Sequence, residues 1–314
     1  RAAVDAGADS VYCGFRDETN ARNFPGLNFS REELREGVKY AHARKTQVFV
    51  AINTYMAAGR PEAWFRAVDD AKACGADAVI LADIGLLDYA SKKHPDDLRL
   101  HLSVQASASN PDAIRLYQQR FGIRRVVLPR VLTIQDITRL NKEVDIETVV
   151  FVFGGMCPMA EGRCSLSSYA TGNSPNVQGV CSPASHVRYE QRDGDLVSRL
   201  GDFTINDFED GEPAGYRTLC KGRFVSHDKV QYLFEEPTSL NAIDLLPELK
   251  AAGVMALKIE GRQRGRAYIA AVVKSLREAV DGFERTGKVP SSRVLQDLAE
   301  GHTDTAGAYK KTWR

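Results

Sequence analysis

The sequence predicts an α/β fold built on a parallel sheet, and we expect a (β/α)8 barrel of the TIM type. Short β-branched segments recur and are apolar through their centres, as strands buried on both faces require. Amphipathic segments separate these strands, and from the third strand onward the unit repeats about every two dozen residues. This short repeat favours a barrel over a doubly wound sheet, whose units are longer.

The predicted strands share an apolar, β-branched centre. They are residues 9–15, 47–54, 78–84, 98–105, 124–130, 147–153 and 256–259. Residues 1–9 read as the end of a helix that runs into a turn. We therefore expect the first strand of the barrel to precede Arg1.

Helix signals stand between these strands. Ser30 and Glu33 form a capping box ahead of an amphipathic segment, and Asn110 followed by Pro111 opens another helix. Gly7 and Gly75 each stand just before a strand, where glycine provides a left-handed helix cap. The unit is therefore strand, loop, helix, turn, strand.

The regular pattern stops at residues 154–155 and resumes after residue 232. We expect residues 1–155 to form the first part of the barrel and residues 156–232 an irregular insertion after the sixth visible strand, with a hairpin turn at residues 193–194. Residues 233–288 complete the barrel with two helices, 243–252 and 266–285. Residues 289–314 read as a polar tail that wraps the surface or meets a partner.

Composition excludes several classes of protein. The 314 residues carry 42 basic and 41 acidic side chains, so no global charge draws the chain to nucleic acid, and we expect none as a partner. The longest apolar runs, such as residues 48–52, are too short to cross a bilayer. We expect a soluble, cytoplasmic protein whose six cysteines stay reduced.

Four of the six cysteines lie in the irregular insertion: Cys157, Cys164, Cys181 and Cys220. Each has glycine or proline within two residues, which lets the backbone bend around a metal group. Four thiolates suit either tetrahedral zinc or a [4Fe–4S] cluster.

The spacing of these cysteines favours the cluster. Structural zinc sites typically use two close Cys-x2–4-Cys pairs, whereas the separations here are 7, 17 and 39 positions. The alternative, that the cysteines are small hydrophobic core residues, we accept only for Cys13 and Cys74.

The cysteine segment also resembles a known family. Phe-Gly-Gly-Met-Cys-Pro-Met-Ala-Glu-Gly-Arg-Cys at residues 153–164 and Leu-Lys-Ile-Glu-Gly-Arg at residues 257–262 resemble the collagenase-like peptidases of unassigned catalytic type. Within that family, the cysteine spacing resembles the branch that acts in ubiquinone biosynthesis. The resemblance covers essentially the whole chain.

The resemblance implies a function. Members of that branch bind one [4Fe–4S] cluster, here through Cys157, Cys164, Cys181 and Cys220, and work as a heterodimer with a homologous subunit. They hydroxylate a ubiquinone precursor without oxygen gas. Related members hydroxylate RNA bases, with prephenate as the source of the hydroxyl oxygen. Proteolysis is not supported, because neither a Gly-x-Ser-x-Gly nor a His-Glu-x-x-His motif occurs.

In a barrel, chemistry takes place at the carboxyl ends of the strands. The polar residues at those ends are Arg22, Asn23, Asn53, Asp83, Gln105, Arg130, Glu260 and Arg262. We select Arg22, Arg130, Glu260 and Arg262 as candidate catalytic residues, because a buried charge at a strand end is costly unless it is used. The arginines suit a small carboxylate such as prephenate.

Structural roles remain open for several of these residues. Asp83 suits a helix cap as well as proton transfer, and Glu260 with Arg262 suits a structural ion pair. Arg163 and Tyr169 lie in the cysteine segment and are candidates for contact with the cluster or the substrate. His101 and His227 are left outside the site. A third possibility for the whole chain is a non-catalytic scaffold that carries the cluster.

Overall fold

A computed structural model describes residues 1–23, 27–157, 159, 164–175, 181–183, 185–209, 212, 218–261, 264–291 and 293–311. Its strands fall into three groups along the chain. The first group is β1 (Ser10–Cys13), β2 (Gln47–Ile52), β3 (Ala78–Leu81), β4 (Arg99–Leu102), β5 (Arg125–Val127) and β6 (Glu147–Gly155). The second is β7 (Val187–Arg192), β8 (Asp195–Leu200), β9 (Phe203–Phe208), β10 (Arg223–Ser226) and β11 (Lys229–Tyr232). The third is β12 (Ser239–Asn241), β13 (Ala256–Ile259) and β14 (Asp304–Thr305).

Helices connect most of the strands of the first group. They are α1 (Ala2–Asp5), α2 (Arg31–His42), α3 (Glu62–Ala73), α4 (Ile84–Lys93), α5 (Pro111–Phe121) and α6 (Ile134–Glu143). Later helices are α7 (Ser165–Thr171), α8 (Leu246–Ala251), α9 (Arg266–Thr286) and α10 (Arg293–Asp297). The predicted capping box at Ser30 and the cap at Asn110 are both confirmed. Gly7 and Gly75 have the positive φ angles expected of helix caps.

The main sheet confirms the predicted α/β class. Strands β1 to β6 pair in chain order, all parallel, and β13 pairs in parallel with β6. The side chains of β3 are all buried, and those of β2 and β6 nearly so. This burial explains their continuous apolar sequences, since helices cover one face of the sheet and interior side chains cover the other.

A closed eight-stranded barrel is not shown and stays a prediction. The hydrogen-bonded strand pairs among the described residues leave the sheet open, with β1 at one edge. The side chains of β1 and β13 are only half-buried. A largely apolar cavity of about 700 Å³ is lined by these two strands, α9 and the interior of the sheet. His101 lines this cavity as well.

The insertion has a small fold of its own. β7, β8 and β9 form an antiparallel sheet, which includes the predicted hairpin, and β10 pairs with β11. Among its described residues, Leu200, Ile205 and Leu219 form a buried hydrophobic cluster. Gly201 has a φ of 59°, and a Cβ there would lie 2.5 Å from the Ala170 carbonyl oxygen. Only glycine therefore lets the β8–β9 turn pack on α7.

Strand pairing and a hydrogen bond attach the C-terminal segment to the main sheet. β12 pairs antiparallel with the end of β6, and β14 pairs with β12. Farther on, the Tyr309 hydroxyl donates a hydrogen bond of 2.6 Å to the Phe151 carbonyl, and Tyr309 is buried. The segment read as a polar tail thus reaches the carboxyl end of β6.

Candidate functional site

A small polar pocket lies at the carboxyl ends of the strands. Its cavity is about 30 Å³, room for about one or two water molecules. The residues that line it are Tyr12, Arg22, Ala51, Asn53, Ile80, Ser103, Val104, Gln105, Arg130, Phe151, Lys258 and Glu260. The structure therefore brings together three of the four predicted catalytic residues, together with Asn53 and Gln105. Arg262 and Arg163 lie outside the described residues.

Arg22 reaches the pocket because its loop is anchored to β2. The Asn20 amide donates a hydrogen bond of 2.8 Å to the Ala51 carbonyl, and the Ala21 N–H donates to Asn53 Oδ1 at 3.1 Å. Asn20 is fully buried. A Cβ on Gly14 would overlap the Asn20 side chain, so glycine is required there. Asn53 thus holds the loop that carries Arg22.

Cations outnumber anions in the pocket. Among the described residues that line it, Arg22, Arg130 and Lys258 are cationic and Glu260 is anionic. The Arg130 guanidinium stacks 3.7 Å from the centre of the Phe151 ring, and the Lys258 ammonium lies 3.8 Å from that of Tyr12. These cation–π contacts help to fix the positions of the two charged groups. The pocket suits a small anion.

Glu260 contacts Tyr12 and Gly154. The Tyr12 hydroxyl lies 3.1 Å from the Ile259 carbonyl oxygen and 3.3 Å from Glu260 Oε2. Gly154 has a φ of 136°, and a Cβ there would lie 2.7 Å from the Glu260 Cβ. The double glycine at which the regular sequence pattern stops is therefore the point where β6 passes Glu260.

Asp83 takes the structural role considered above. It caps α4, since its carboxylate accepts a hydrogen bond of 3.0 Å from the Leu86 N–H and another of 3.1 Å from the Met56 N–H. It is not among the pocket-lining residues.

The four insertion cysteines form an interacting group of reduced thiols. Cys164 interacts electrostatically with Cys181, and Cys220 with both Cys157 and Cys181. The first turn of α7 joins two of them. The Ser167 N–H donates to Cys164 Sγ at 3.4 Å, and the Ser167 hydroxyl donates to the Cys181 carbonyl.

Burial opposes ionisation of these thiols. It raises the pKa of Cys164, and it raises the pKa of Cys220 to about 12, while a hydrogen bond with Thr218 at 3.0 Å acts in the opposite direction. The thiolate is the form that binds metals, and a bound cation stabilises it. Buried thiols of this kind therefore fit a site that is filled by a positively charged metal group.

Within the described ranges, no three or more His, Cys, Asp or Glu side chains are arranged to hold a single metal ion. Cys13 and Cys74 sit apart in the main sheet domain, as expected of core residues. Cys74 belongs to its hydrophobic core, half-buried Cys13 packs against that core, and the Cys74 thiol lies 3.4 Å from the Arg31 carbonyl oxygen.

Two glycines connect the pocket to the cysteine group. Gly154 contacts Glu260, and a Cβ on Gly155 would lie 3.6 Å from Glu300 Oε2 and 4.0 Å from Lys221 Nζ. Lys221 follows Cys220 directly, and Cys157 comes two residues after Gly155. Gly154 therefore borders a residue of the polar pocket, and Gly155 borders the residue that follows Cys220.

Sequence reasoning missed four residues of this region. Tyr12 and Lys258 sit inside short apolar strands, and a lysine between Leu257 and Ile259 is a signal that a charge faces the interior. Lys221 and Glu300 carry no such signal, because only the fold brings them together.

The fold and the site define an α/β protein with a cationic pocket at its strand ends and a cysteine-bearing insertion beside it. Residues 1–309 match peptidase family U32. The chain belongs to this family, as the collagenase-like resemblance predicted.

Curated relatives cover most of the chain. An uncharacterized protease of Methanocaldococcus jannaschii is 32% identical over 90% of this chain and 62% of its own length. The tRNA hydroxylation protein P of Escherichia coli is 30% identical over 95% of this chain and 68% of its own. The 23S rRNA 5-hydroxycytidine C2501 synthase of the same organism is 26% identical over 90% and 38%. The chain thus spans at most about two thirds of the length of these proteins.

Among the described helices, none combines the length and the hydrophobicity that crossing a membrane requires.

Proposed function

We propose that this chain is a [4Fe–4S] subunit of an oxygen-independent hydroxylase, with a nucleobase of RNA as its first candidate substrate. The observation that supports the proposal is the contact of two consecutive glycines at the end of β6, Gly154 with Glu260 of the cationic pocket and Gly155 with Lys221, which follows one of four interacting thiols. The names of two relatives, a tRNA hydroxylation protein and an rRNA hydroxycytidine synthase, support hydroxylation and favour RNA, against the expectation from net charge that nucleic acid is not a partner.

Cys157, Cys164, Cys181 and Cys220 would hold the cluster. Each thiolate of a four-iron cluster binds a different iron, so the ligand set need not converge on one point, as it must around a single zinc ion. When bound, the cluster supplies electron-transfer chemistry.

The chain's own residues have distinct tasks in this proposal. Arg22, Arg130 and Lys258 bind a carboxylate of the hydroxyl donor, for which prephenate is the candidate. Glu260 accepts or returns a proton, and Tyr12 orients its carboxylate through the 3.3 Å contact. Arg262, in the same segment as Glu260, stays a predicted catalytic residue.

A ubiquinone precursor is the second candidate substrate, and the cysteine spacing favours it. In that case the chain is a UbiU-like protein that acts in the cytoplasm as a heterodimer with a homologous UbiV-like subunit. Non-catalytic scaffolding is the remaining alternative.

Deletion of the gene in its own organism, followed by anaerobic growth, separates these functions. Mass spectrometry of RNA nucleosides and of quinone precursors shows which compound loses one oxygen atom. We expect one RNA nucleoside to lose an oxygen atom in the deletion strain, and a wild-type copy of the gene to restore the hydroxylated nucleoside. A copy with Arg130→Ala should not restore the hydroxylated nucleoside, although the variant protein should retain iron. Full restoration by Arg130→Ala would favour the scaffold, and a quinone change alone would select the second substrate.

A further inference from the structure

A buried ion pair lies beside Cys220. Lys221 Nζ and Glu300 Oε2 are 2.7 Å apart, and the two side chains are 6% and 4% exposed. Burying two charges costs several kcal/mol per ion in desolvation, so apolar residues of similar size often stabilise such a place equally well. A pair in this position therefore calls for an explanation other than stability.

The pair joins three segments of the chain. Lys221 ends the single 3-10 turn that carries Cys220, and Glu300 belongs to the C-terminal segment. The Glu300 N–H donates to Ser239 Oγ at 2.9 Å, and Ser239 is paired with Gly155 at the end of β6. The pair thus ties the Cys220 turn to the strand end that separates it from the pocket.

The two partners of the pair have different neighbours. Lys221 directly follows Cys220, and its ammonium acts against the burial that raises the pKa of the Cys220 thiol. Glu300 is turned toward Arg264, whose Nη2 lies 3.6 Å from its Oε2. The Glu235 backbone N–H donates to the Cys220 carbonyl at 3.2 Å. Burial raises the pKa of the Glu235 carboxyl, Lys221 acts in the opposite direction, and Glu300 adds to the rise.

We propose that Lys221 and Glu300 are positioning residues that hold Cys220 against the end of β6, and that Lys221 sets the charge beside the cluster. The inference rests on the proposed cluster. Four thiolates give a [4Fe–4S] group a net negative charge, and reduction adds one more. A lysine fixed next to a ligand by a buried carboxylate favours the reduced form, because net charge and burial tune the potential of such clusters.

The experiment compares the midpoint potential of the cluster among three variants, by redox titration with electron paramagnetic resonance. Lys221→Met with Glu300→Gln removes both charges of the buried pair and leaves Arg264, which is 32% exposed, to solvent; we expect a lower potential than in wild type. Lys221→Arg keeps the charge and should keep the potential. The matched control is Lys250→Met with Glu284→Gln, an exposed pair of the same 2.7 Å length, which should change nothing.

Iron and sulfide content are measured on the same samples. An unchanged potential in the Lys221→Met/Glu300→Gln protein at full cluster content would overturn the inference. If that protein loses its iron, Lys221→Arg decides: retained iron supports the role of charge, and equal loss of iron overturns it. Wild-type protein without iron and sulfide would instead refute the proposed function itself.

Discussion

The parallel sheet and the cysteine-bearing insertion bury very different amounts of apolar side chain. In the sheet, β2, β3 and β6 are almost entirely buried, and their side chains join one continuous core with the helices. Among the described residues of the insertion, Leu200, Ile205 and Leu219 form a small buried cluster, and Val197 and Phe208 are buried as well. The difference teaches that the sheet can fold from hydrophobic burial, whereas the described part of the insertion buries less and would gain stability from a bound cluster.

The largest expected effect is loss of structure in the insertion when the cluster is removed. Cys164→Ala should lower the protection of β7 to β9 against hydrogen exchange by more than about 3 kcal/mol of opening free energy, and should leave β2 to β6 protected. Exchange followed by mass spectrometry measures this. Cys13→Ala is the control, because Cys13 lies in the sheet. Unchanged protection of β8 in Cys164→Ala would remove the contrast between the two regions.

A core truncation in the sheet should act in the opposite region. Phe153 is fully buried in β6, and Phe153→Ala should cost about 3–5 kcal/mol in the free energy of unfolding of the sheet. Urea unfolding checks the value. Tyr169→Ala, at an 81% exposed ring on α7, should cost less than about 0.5 kcal/mol. Equal losses of unfolding free energy in Phe153→Ala and Tyr169→Ala would mean that the two regions do not differ in how much they depend on buried side chains.

His101 should make the sheet sensitive to acid. Burial, with Arg125, Arg99 and Lys258 nearby, lowers the pKa of this imidazole from 6.5 to about 2. Between these values the unfolded chain binds a proton that the folded chain does not bind, so stability rises with pH. The contribution of neutral His101 to the free energy of unfolding is complete above pH 6.5 and is lost as the pH falls below that value.

Wild type should therefore lose about 2 kcal/mol of stability at this site between pH 6.5 and about pH 5. His101→Phe, which can keep the edge contact with Phe49, should remove that part of the slope. Urea unfolding at the two pH values measures the difference. Identical slopes would show that His101 titrates normally in the folded protein.

The smallest expected effect concerns Asp83. Asp83→Ala removes the cap of α4 and should cost about 1 kcal/mol, whereas Asp83→Asn should keep it within about 0.5 kcal/mol. Thermal unfolding of both variants checks this. Hydroxylation should be unchanged in Asp83→Asn, and a loss there would return Asp83 to the site.

The sheet could be predicted because its signals are local. Each predicted strand of the main sheet is present, as are the caps at Ser30 and Asn110, since apolar runs and capping residues act over a few positions. β12 and β14 were missed, because two or three residues carry no period. Their pairing depends on contacts with the distant end of β6.

The residues of the candidate site could be predicted where they lie at the carboxyl ends of parallel strands. Arg22, Arg130 and Glu260 follow strands, and the common end of parallel strands brings them to one pocket. Lys221 and Glu300 are separated by 79 positions, and no sequence period marks their pairing. The thiol group was indicated by glycine-rich context and spacing, but which thiols interact depends on how α7 packs on the insertion sheet.

The central claim is that Cys157, Cys164, Cys181 and Cys220 hold one [4Fe–4S] cluster. Anaerobic purification of wild type, Cys164→Ala and Cys181→Ala, with iron and acid-labile sulfide assays and absorption spectra, tests it most directly. We expect wild-type protein to contain the iron and sulfide of one cluster per chain. Its visible absorption should be lost on exposure to air and should be absent from both variants. Colourless wild-type protein that contains zinc, or iron retained in both variants, would contradict it.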